Sequence, residues 1–193
     1  HPRLQIRFIV ADPDQVVQDV QAGRIDVGVA SPVDVEGDVR LMVETLPPLR
    51  VCLACRPDHP LAREPRPSLA RALEFPLATT QLRGAQAALA SRTGATQVSQ
   101  GFAAAFHPQI LVNSLAHARL IARDSDALFP ATAALLAEDV AAGRLVKLDC
   151  RVPEMRTTYG VLHLRGRTLT PAAKIFIETL RAVEAEAKRS DVE

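Results

Sequence analysis

The chain of 193 residues has no tryptophan, one tyrosine and only three cysteines. Three cysteines cannot all pair within one chain, so we expect no disulfide framework. Cys52 and Cys55 lie in an apolar run that is typical of a strand, in which residues three apart face opposite sides. No second Cys/His pair stands at zinc-ligand spacing, and Cys150 is isolated. The sequence therefore predicts buried structural thiols, no metal site and no cofactor.

Long hydrophobic runs and an excess of one charge are also missing. The longest apolar runs, at residues 51–55, 102–106 and 133–137, are far shorter than the roughly 18 residues that span a bilayer. The 23 Lys+Arg against 22 Asp+Glu give a net charge of +1, too little for a DNA-binding surface. The N-terminus shows no apolar segment followed by a cleavage site. We expect no membrane partner, no DNA binding by these residues alone and a cytoplasmic protein.

Apolar residues make up 48% of the chain, enough to build one large domain or two small lobes. Alternating apolar residues at 4–10 predict a strand. Asp12 then reads as an N-cap, a helix follows over 13–22, and Gly23 ends it. Residues 25–30 predict a second strand. Together they indicate a right-handed βαβ unit with two parallel strands.

The α/β pattern continues beyond a proline-rich stretch at residues 57–67, where we place a crossing between two lobes. The other predicted elements are strands at 39–46 and 49–55, a short helix capped by Ser68, strands at 75–80 and 109–112, a helix capped by Asn113 or Ser114, a strand at 126–129 closed by Pro130, a helix after Thr132, strands at 145–148 and 159–164, and a terminal helix from Thr170. Leu111 is expected to be buried, so that a charge there would unfold the second lobe.

Short polar side chains stand at several predicted strand ends, where ligands of open parallel α/β sheets settle. Hydroxyl and amide groups beside helix N-termini suit a carboxylate. For each such residue an ordinary helix cap is the alternative. Arg83 could pair a ligand carboxylate, with a surface arginine as its alternative. The candidate ligand-binding residues are Ser31, Thr79, Thr80, Gln81, Arg83, Val112, Asn113, Ser114, Phe129 and Pro130.

Catalytic arrangements are not visible. The five histidines are scattered, and the chain holds no Gly-x-Ser-x-Gly elbow, no His-Glu-x-x-His pair and no phosphate-binding Gly-x-x-x-x-Gly-Lys loop. His117 follows Ser114 by three residues, but no third orienting group or oxyanion hole can be identified. We expect no catalytic residues and no enzyme activity.

Several segments, taken in order along nearly the whole chain, resemble the effector-binding domain of LysR-type transcriptional regulators. They are residues 23–30 (GRIDVGVA), 56–62 (RPDHPLA), the capped helix leading to 127–130 (ALFP), 142–148 (AGRLVKL), 160–162 (GVL) and 169–173 (LTPAA). The resemblance implies an α/β, two-lobed fold like the type 2 periplasmic binding proteins, each lobe a mostly parallel sheet flanked by helices. Lobe I would be residues 1–60 and 156–193, lacking its usual first strand, and lobe II residues 61–155.

The resemblance also implies a function. The expected role is ligand sensing and dimerisation, with a small organic acid bound in an interlobe cleft at the strand ends named above, to which the family pattern adds Pro32. Binding would modulate DNA binding and transcription by the full-length protein, which would reach DNA only through an N-terminal winged helix-turn-helix absent from this sequence. Similar domains form homodimers or higher homo-oligomers through the counterparts of residues 4–10 and 13–22.

Three alternatives stay open at this point. Val16 and Val20 could serve a subunit contact or belong to the core. The same fold also suits a solute-binding protein of a transport system, for which an upstream helix-turn-helix would be the discriminating observation. An enzyme on a similar two-lobed scaffold is the third possibility, although the glycine-rich loop or acid/base pair that it needs is not evident.

Overall fold

The computed structural model describes residues 5–35, 37–80, 108–150 and 156–190. The helices are α1 (Pro13–Gln21), α2 (Leu69–Ala72), α3 (Leu115–Asp124), α4 (Ala133–Ala141) and α5 (Pro171–Ser190), with single turns of 3-10 helix at Pro32–Val35 and Pro60–Arg63. The strands are β1 (Gly28–Ala30), β2 (Leu41–Thr45), β3 (Leu49–Cys55), β4 (Ala78–Thr79), β5 (Ile110–Leu111), β6 (Phe129–Thr132), β7 (Val146–Lys147), β8 (Arg156–Thr157) and β9 (Gly160–Leu164). No helix in these ranges is long and apolar enough to cross a membrane.

The chain divides into two compact units, His1–Pro48 with Thr158–Glu193, and Leu49–Thr157. Residues 49–60 were predicted to belong to the first lobe. In the structure β3 lies in the second unit because its partners β6, β7 and β8 are there.

The first unit is built on a three-stranded sheet of order β1-β9-β2, in which both pairs are antiparallel. Successive residues of β9 face opposite sides of the sheet. Leu162 packs in a cluster with Val20 of α1, and Val161 packs in a second cluster with Ile177 of α5. The sheet is thus covered by a helix on each face.

Helix α1 begins and ends as the sequence predicts. Asp12 is at the N-cap position before the N-terminal proline of the helix, but its side chain makes no capping hydrogen bond. Gly23 has a φ of 66°, a left-handed conformation that glycine adopts without strain. Val20 is fully buried and Val16 packs beside it in the core. The core interpretation of these two valines is therefore confirmed.

The predicted strand at residues 4–10 is wrong for the described residues 5–10, which form no strand. Ile6, Phe8 and Val10 are exposed at 59%, 75% and 85%, and the Phe8 ring lies 6.0 Å from the ring of Phe176. An alternating pattern specifies a strand only where a neighbouring strand supplies hydrogen bonds. Since β1 pairs antiparallel with β9, the expected parallel βαβ pair is also absent from the described part of this unit.

The second unit is organised around β3, which is buried on both faces. Leu53 and Cys55 face one apolar cluster with Leu61 and Leu128, while Cys52 and Ala54 face another with Phe129. β3 pairs antiparallel with β6, β7 and β8. Pro130 lies inside β6, opposite Leu53, and does not close the strand as predicted.

Parallel pairing occurs at the other side of β6. β4 pairs parallel with β5, and a parallel bridge joins Leu77 to Leu128 at the start of β6. The described sheet therefore runs in the order β5-β4-β6-β3-β7. The α/β class is confirmed. The lobes were predicted to hold mostly parallel sheets, but most described strand pairs are antiparallel, because β3 and β9 are each antiparallel to all of their partners.

The three thiols are free, as expected. Cys55 is fully buried, and burial raises the pKa of its thiol to about 11. Cys52 and Cys150 are half-buried. A thiol with so high a pKa is a poor nucleophile and a poor metal ligand at neutral pH.

Candidate functional site

The parallel pairing of β4 and β5 places two predicted strand ends at one edge of the second unit. Thr79 lies opposite Leu111, and the backbone N–H of Val112 donates to the carbonyl of Thr79 at 3.0 Å. The chain leaves the sheet here at Thr80 on one strand and at Asn113 on the other.

The start of β6 lies against the same part of β4. The N–H of Leu128 donates to Pro76 at 2.7 Å, and the N–H of Ala78 donates to Leu128 at 2.9 Å. Because the strands are parallel there, Phe129 and Pro130 advance toward the edge that Thr79 reaches. The predicted residues that the structure brings together are Thr79, Thr80, Val112, Asn113, Ser114, Phe129 and Pro130.

Burial separates these residues into two groups. Thr79 and Phe129 are 1% and 0% exposed, and Pro130 is also buried. Phe129 packs with Leu136 and its neighbours in the core, so its side chain offers no accessible surface at the candidate site. The residues with accessible surface are half-buried Thr80, Val112 and Ser114, and exposed Asn113.

Ser114 is the N-cap of α3. Its Oγ accepts a hydrogen bond from the N–H of Ala116 at 3.2 Å, and its carbonyl accepts from the N–H groups of His117 and Ala118 at 3.0 and 3.2 Å. The capping interpretation of Ser114 is therefore confirmed, and the ligand-binding interpretation stays a prediction. The cap also places the partial positive charge of the α3 N-terminus at this edge.

The remaining predicted site residues lie elsewhere. Ser31 and Pro32 belong to the first unit, directly after β1, and both are half-buried. Pro32 begins a turn of 3-10 helix and lies close to Gly160, where a Cβ would meet its Cγ at 3.3 Å. Gln81 and Arg83 lie outside the described residues.

A buried charged cluster, whose members were not among the predicted site residues, lies in the second unit. Asp139 of α4 is completely buried and is contacted by Arg144 and by Arg119 and Arg123 of α3. Burial opposes ionisation of the carboxyl group, but hydrogen bonds from Arg144 and Arg123 outweigh it and hold the pKa of Asp139 below its usual value. Arginines four residues apart on a predicted helix were the available sequence signal.

The described ranges show no cluster of side chains suited to metal binding or to nucleophilic catalysis. These ranges contain no group of three or more His, Cys, Asp or Glu residues that could hold a metal ion. His117 is exposed on the first turn of α3.

The comparison with known proteins identifies the family. A model of the LysR substrate binding domain matches residues 1–185. A curated relative, the SDS degradation transcriptional activation protein of Pseudomonas sp. (strain ATCC 19151), is 28% identical over 178 residues, which cover 90% of this chain and 56% of that protein. The chain thus spans little more than half of the length of this relative.

Solved structures show the same fold. The regulatory domain of Synechocystis PCC6803 CcmR in complex with 2-PG matches with a TM-score of 0.68 and 16% identity, over 95% of this chain and 85% of that one. The effector binding domain of QuiR in complex with shikimate matches with a TM-score of 0.61 and 14% identity, over 89% and 78%. These neighbours confirm the type 2 periplasmic-binding-protein-like fold, and the family is one of regulators, not of enzymes. The chain belongs to the LysR substrate-binding domain family, as the effector-binding domain of a LysR-type transcriptional regulator.

Proposed function

We propose that the chain binds a small organic acid at the β4, β5 and β6 edge of the second unit. Ser31 and Pro32 are further partners that the sequence predicts. The observation that carries this proposal is the convergence of Thr80, Asn113 and Ser114 with the start of α3. Hydroxyl and amide donors beside a helix N-terminus suit a carboxylate. Arg83 is a further proposed partner for the acid.

Two neighbouring structures hold small molecules. One neighbour was solved with 2-PG and another with shikimate, an organic acid. At sequence identities of 16% and 14%, these structures are evidence for the fold of this chain and not for the identity of its ligand. The chemical class proposed here therefore depends on the donors at the edge of this chain.

Ligand binding would act on the whole regulator by shifting an equilibrium between two arrangements. An acid that binds one arrangement tenfold more tightly supplies about 1.4 kcal/mol, enough to move a balanced equilibrium. No bond is made or broken in such a step. DNA binding would belong to a winged helix-turn-helix elsewhere in the full-length protein, in the cytoplasm.

A homodimer or higher homo-oligomer is the proposed assembly. Large apolar side chains are exposed on the first unit, at Ile6, Phe8 and Val10, and on the second unit, at Leu120 and Val140. Of these, the exposed side chains that follow one another at residues 6–10 are of the kind found at protein interfaces. Membership of the LysR family favours a regulator over a solute-binding protein of a transport system, although both kinds of protein share this fold.

A thermal-shift screen of the 193-residue chain tests the proposal. The panel contains benzoate, gluconate and shikimate, each paired with its methyl ester as an uncharged control. At a ligand concentration of about 100 Kd, binding stabilises the native state by about 2.7 kcal/mol, which raises Tm by about 5–10 °C. We expect a free acid to raise Tm and its ester to have no effect. Equal shifts from acid and ester would contradict the proposed carboxylate site, and a substrate that is chemically converted would contradict a sensor role.

A further inference from the structure

Asp139 forms a buried ionic junction between three parts of the second unit. Its carboxylate is 0% exposed, and its Oδ1 accepts hydrogen bonds from Arg144 Nε at 2.6 Å and from Arg123 Nη2. Arg119 Nη1 lies 3.4 Å from the other oxygen. The junction therefore joins α4 to α3 and to the turn that follows α4.

The two helices joined at Asp139 begin at the candidate ligand edge. Helix α3 begins after Ser114, and α4 begins after Thr132, whose Oγ1 accepts from the N–H of Leu135 at 3.4 Å. At 1.5 Å per residue, Arg119, Arg123 and Asp139 lie about 8 to 14 Å beyond these starts. A junction at this depth fixes where both helix N-termini stand.

The main chain at Asp139 strengthens the junction. Its carbonyl accepts from the N–H of Arg144 at 2.8 Å and from the N–H of Leu145 at 3.3 Å, around Gly143 with a φ of 66°. The end of α4 is therefore held by the backbone and by the carboxylate of one residue. Arg144 also pairs with exposed Glu138 at 2.7 Å.

Stability alone does not account for a charge at this position. Asp139 Oδ2, Arg119 Nε and Arg123 Nε are buried without hydrogen-bond partners in the described structure. Unsatisfied buried polar atoms are costly, and apolar residues of similar volume often replace a buried ion pair without loss of stability. What a carboxylate adds over an apolar side chain is direction, because three guanidinium groups that reach one carboxylate restrict the placement of the two helices more than an apolar contact does.

We propose that Asp139 is a positioning residue for the effector site, one that holds the N-termini of α3 and α4 in register at the ligand edge. This inference rests on the proposed function, because the register matters only if an acid binds there. Neutralising Asp139 would leave three guanidinium groups facing one another, and α3 and α4 would separate at their starts.

The test compares Asp139→Asn with Leu136→Ala in the 193-residue chain. Leu136 lies on the same helix, is 1% exposed and carries no charge, so its truncation lowers stability through a cavity alone. Amide hydrogen exchange is measured at residues 115–118 and 133–135 and corrected for intrinsic exchange, with temperatures chosen so that the two variants have equal global stability. We expect exchange in these turns to be at least tenfold faster in D139N than in L136A. Equal exchange in the two variants would overturn the proposal.

Ligand affinity gives a second readout. The probe is whichever of benzoate, gluconate or shikimate raises the Tm of the wild-type chain most. We expect D139N to weaken its binding at least tenfold and L136A less than twofold, and equal weakening would contradict a positioning role. If none of the three acids binds the wild-type chain, the proposed carboxylate site fails for them, while the exchange measurement still decides the role of Asp139.

Should D139N fail to fold, Arg119→Gln is the milder variant, because Arg119 is 27% exposed and makes the longest contact of the cluster. We expect about threefold faster exchange at residues 115–118 than in L136A at equal stability. Wild-type protection in R119Q would overturn the proposal.

Discussion

His59 accepts a hydrogen bond at Nδ1 from the backbone N–H of Leu61, at 3.0 Å. Its Nε2 lies 3.2 Å from the carbonyl of Asp126, to which it donates. The two contacts together require the neutral imidazole. The ring is fully buried and its centroid lies 4.4 Å from that of Phe75. Burial therefore lowers the pKa of His59, while the carbonyl of Asp126 opposes that change.

This environment predicts that stability falls in mild acid. In the unfolded chain a histidine takes up a proton near pH 6.5, whereas His59 in the folded chain does so only at lower pH. The stabilisation is complete above about pH 6.5 and is lost as the pH falls from there through the folded pKa, at up to about 1.4 kcal/mol per pH unit. Urea unfolding between pH 7.5 and pH 5 measures this slope.

His59→Asn keeps an acceptor for the N–H of Leu61 and removes the titration. We expect a lower unfolding free energy at pH 7.5 and a shallower decline toward pH 5 than in the wild-type chain. His117→Asn, at an exposed position, is the matched control and should keep the wild-type slope. A wild-type slope in H59N would show that other groups cause the acid sensitivity.

The sequence specified those elements whose signals are local. The N-caps at Ser68 and Thr132 are where they were predicted, and Ser114 is the cap among the two residues predicted for α3, since a hydroxyl before an apolar helix face is a short-range signal. β3 is buried on both faces, which agrees with its continuous run of apolar residues.

Features that depend on distant partners could not be derived in the same way. Whether residues 5–10 form a strand, or β9 runs parallel or antiparallel to β1, depends on which segment lies beside each, and single-strand patterns do not encode this. For the candidate site, the strand ends were found, but the burial of Phe129 depends on packing against α4. The Asp139 cluster was missed because its members meet only after two helices have packed.

Gly28 makes the first unit sensitive to a single methyl group. A Cβ there would lie 2.8 Å from Cγ1 of Val16 and 2.9 Å from Cγ2 of Val20, both on α1. We expect Gly28→Ala to destabilise the chain by about 1–3 kcal/mol through overpacking, measured by urea unfolding. Adding Val16→Ala removes one of the two clashes and should recover part of the loss. An unchanged unfolding free energy in G28A would contradict this packing.

Leu111 corrects an expectation from the sequence. It was predicted to be buried, but it is 55% exposed on β5. We now expect Leu111→Asp to change the unfolding free energy by less than about 1 kcal/mol. Leu128→Asp, at a 0% exposed position in the same sheet, should prevent folding because it buries a charge. Circular dichroism of both variants decides the matter, and an unfolded L111D would contradict the observed exposure.

The most direct test of the account is calorimetric titration of the best-binding panel acid into wild-type, Ser114→Glu and Ser68→Glu chains. Both serines are helix N-caps whose Oγ accepts from a backbone N–H at 3.2 Å, but only Ser114 lies at the β4, β5 and β6 edge. We predict that S114E abolishes binding through bulk and like charge, while S68E binds as the wild-type chain does. Full affinity in S114E would show that the acid binds elsewhere and would contradict the central claim.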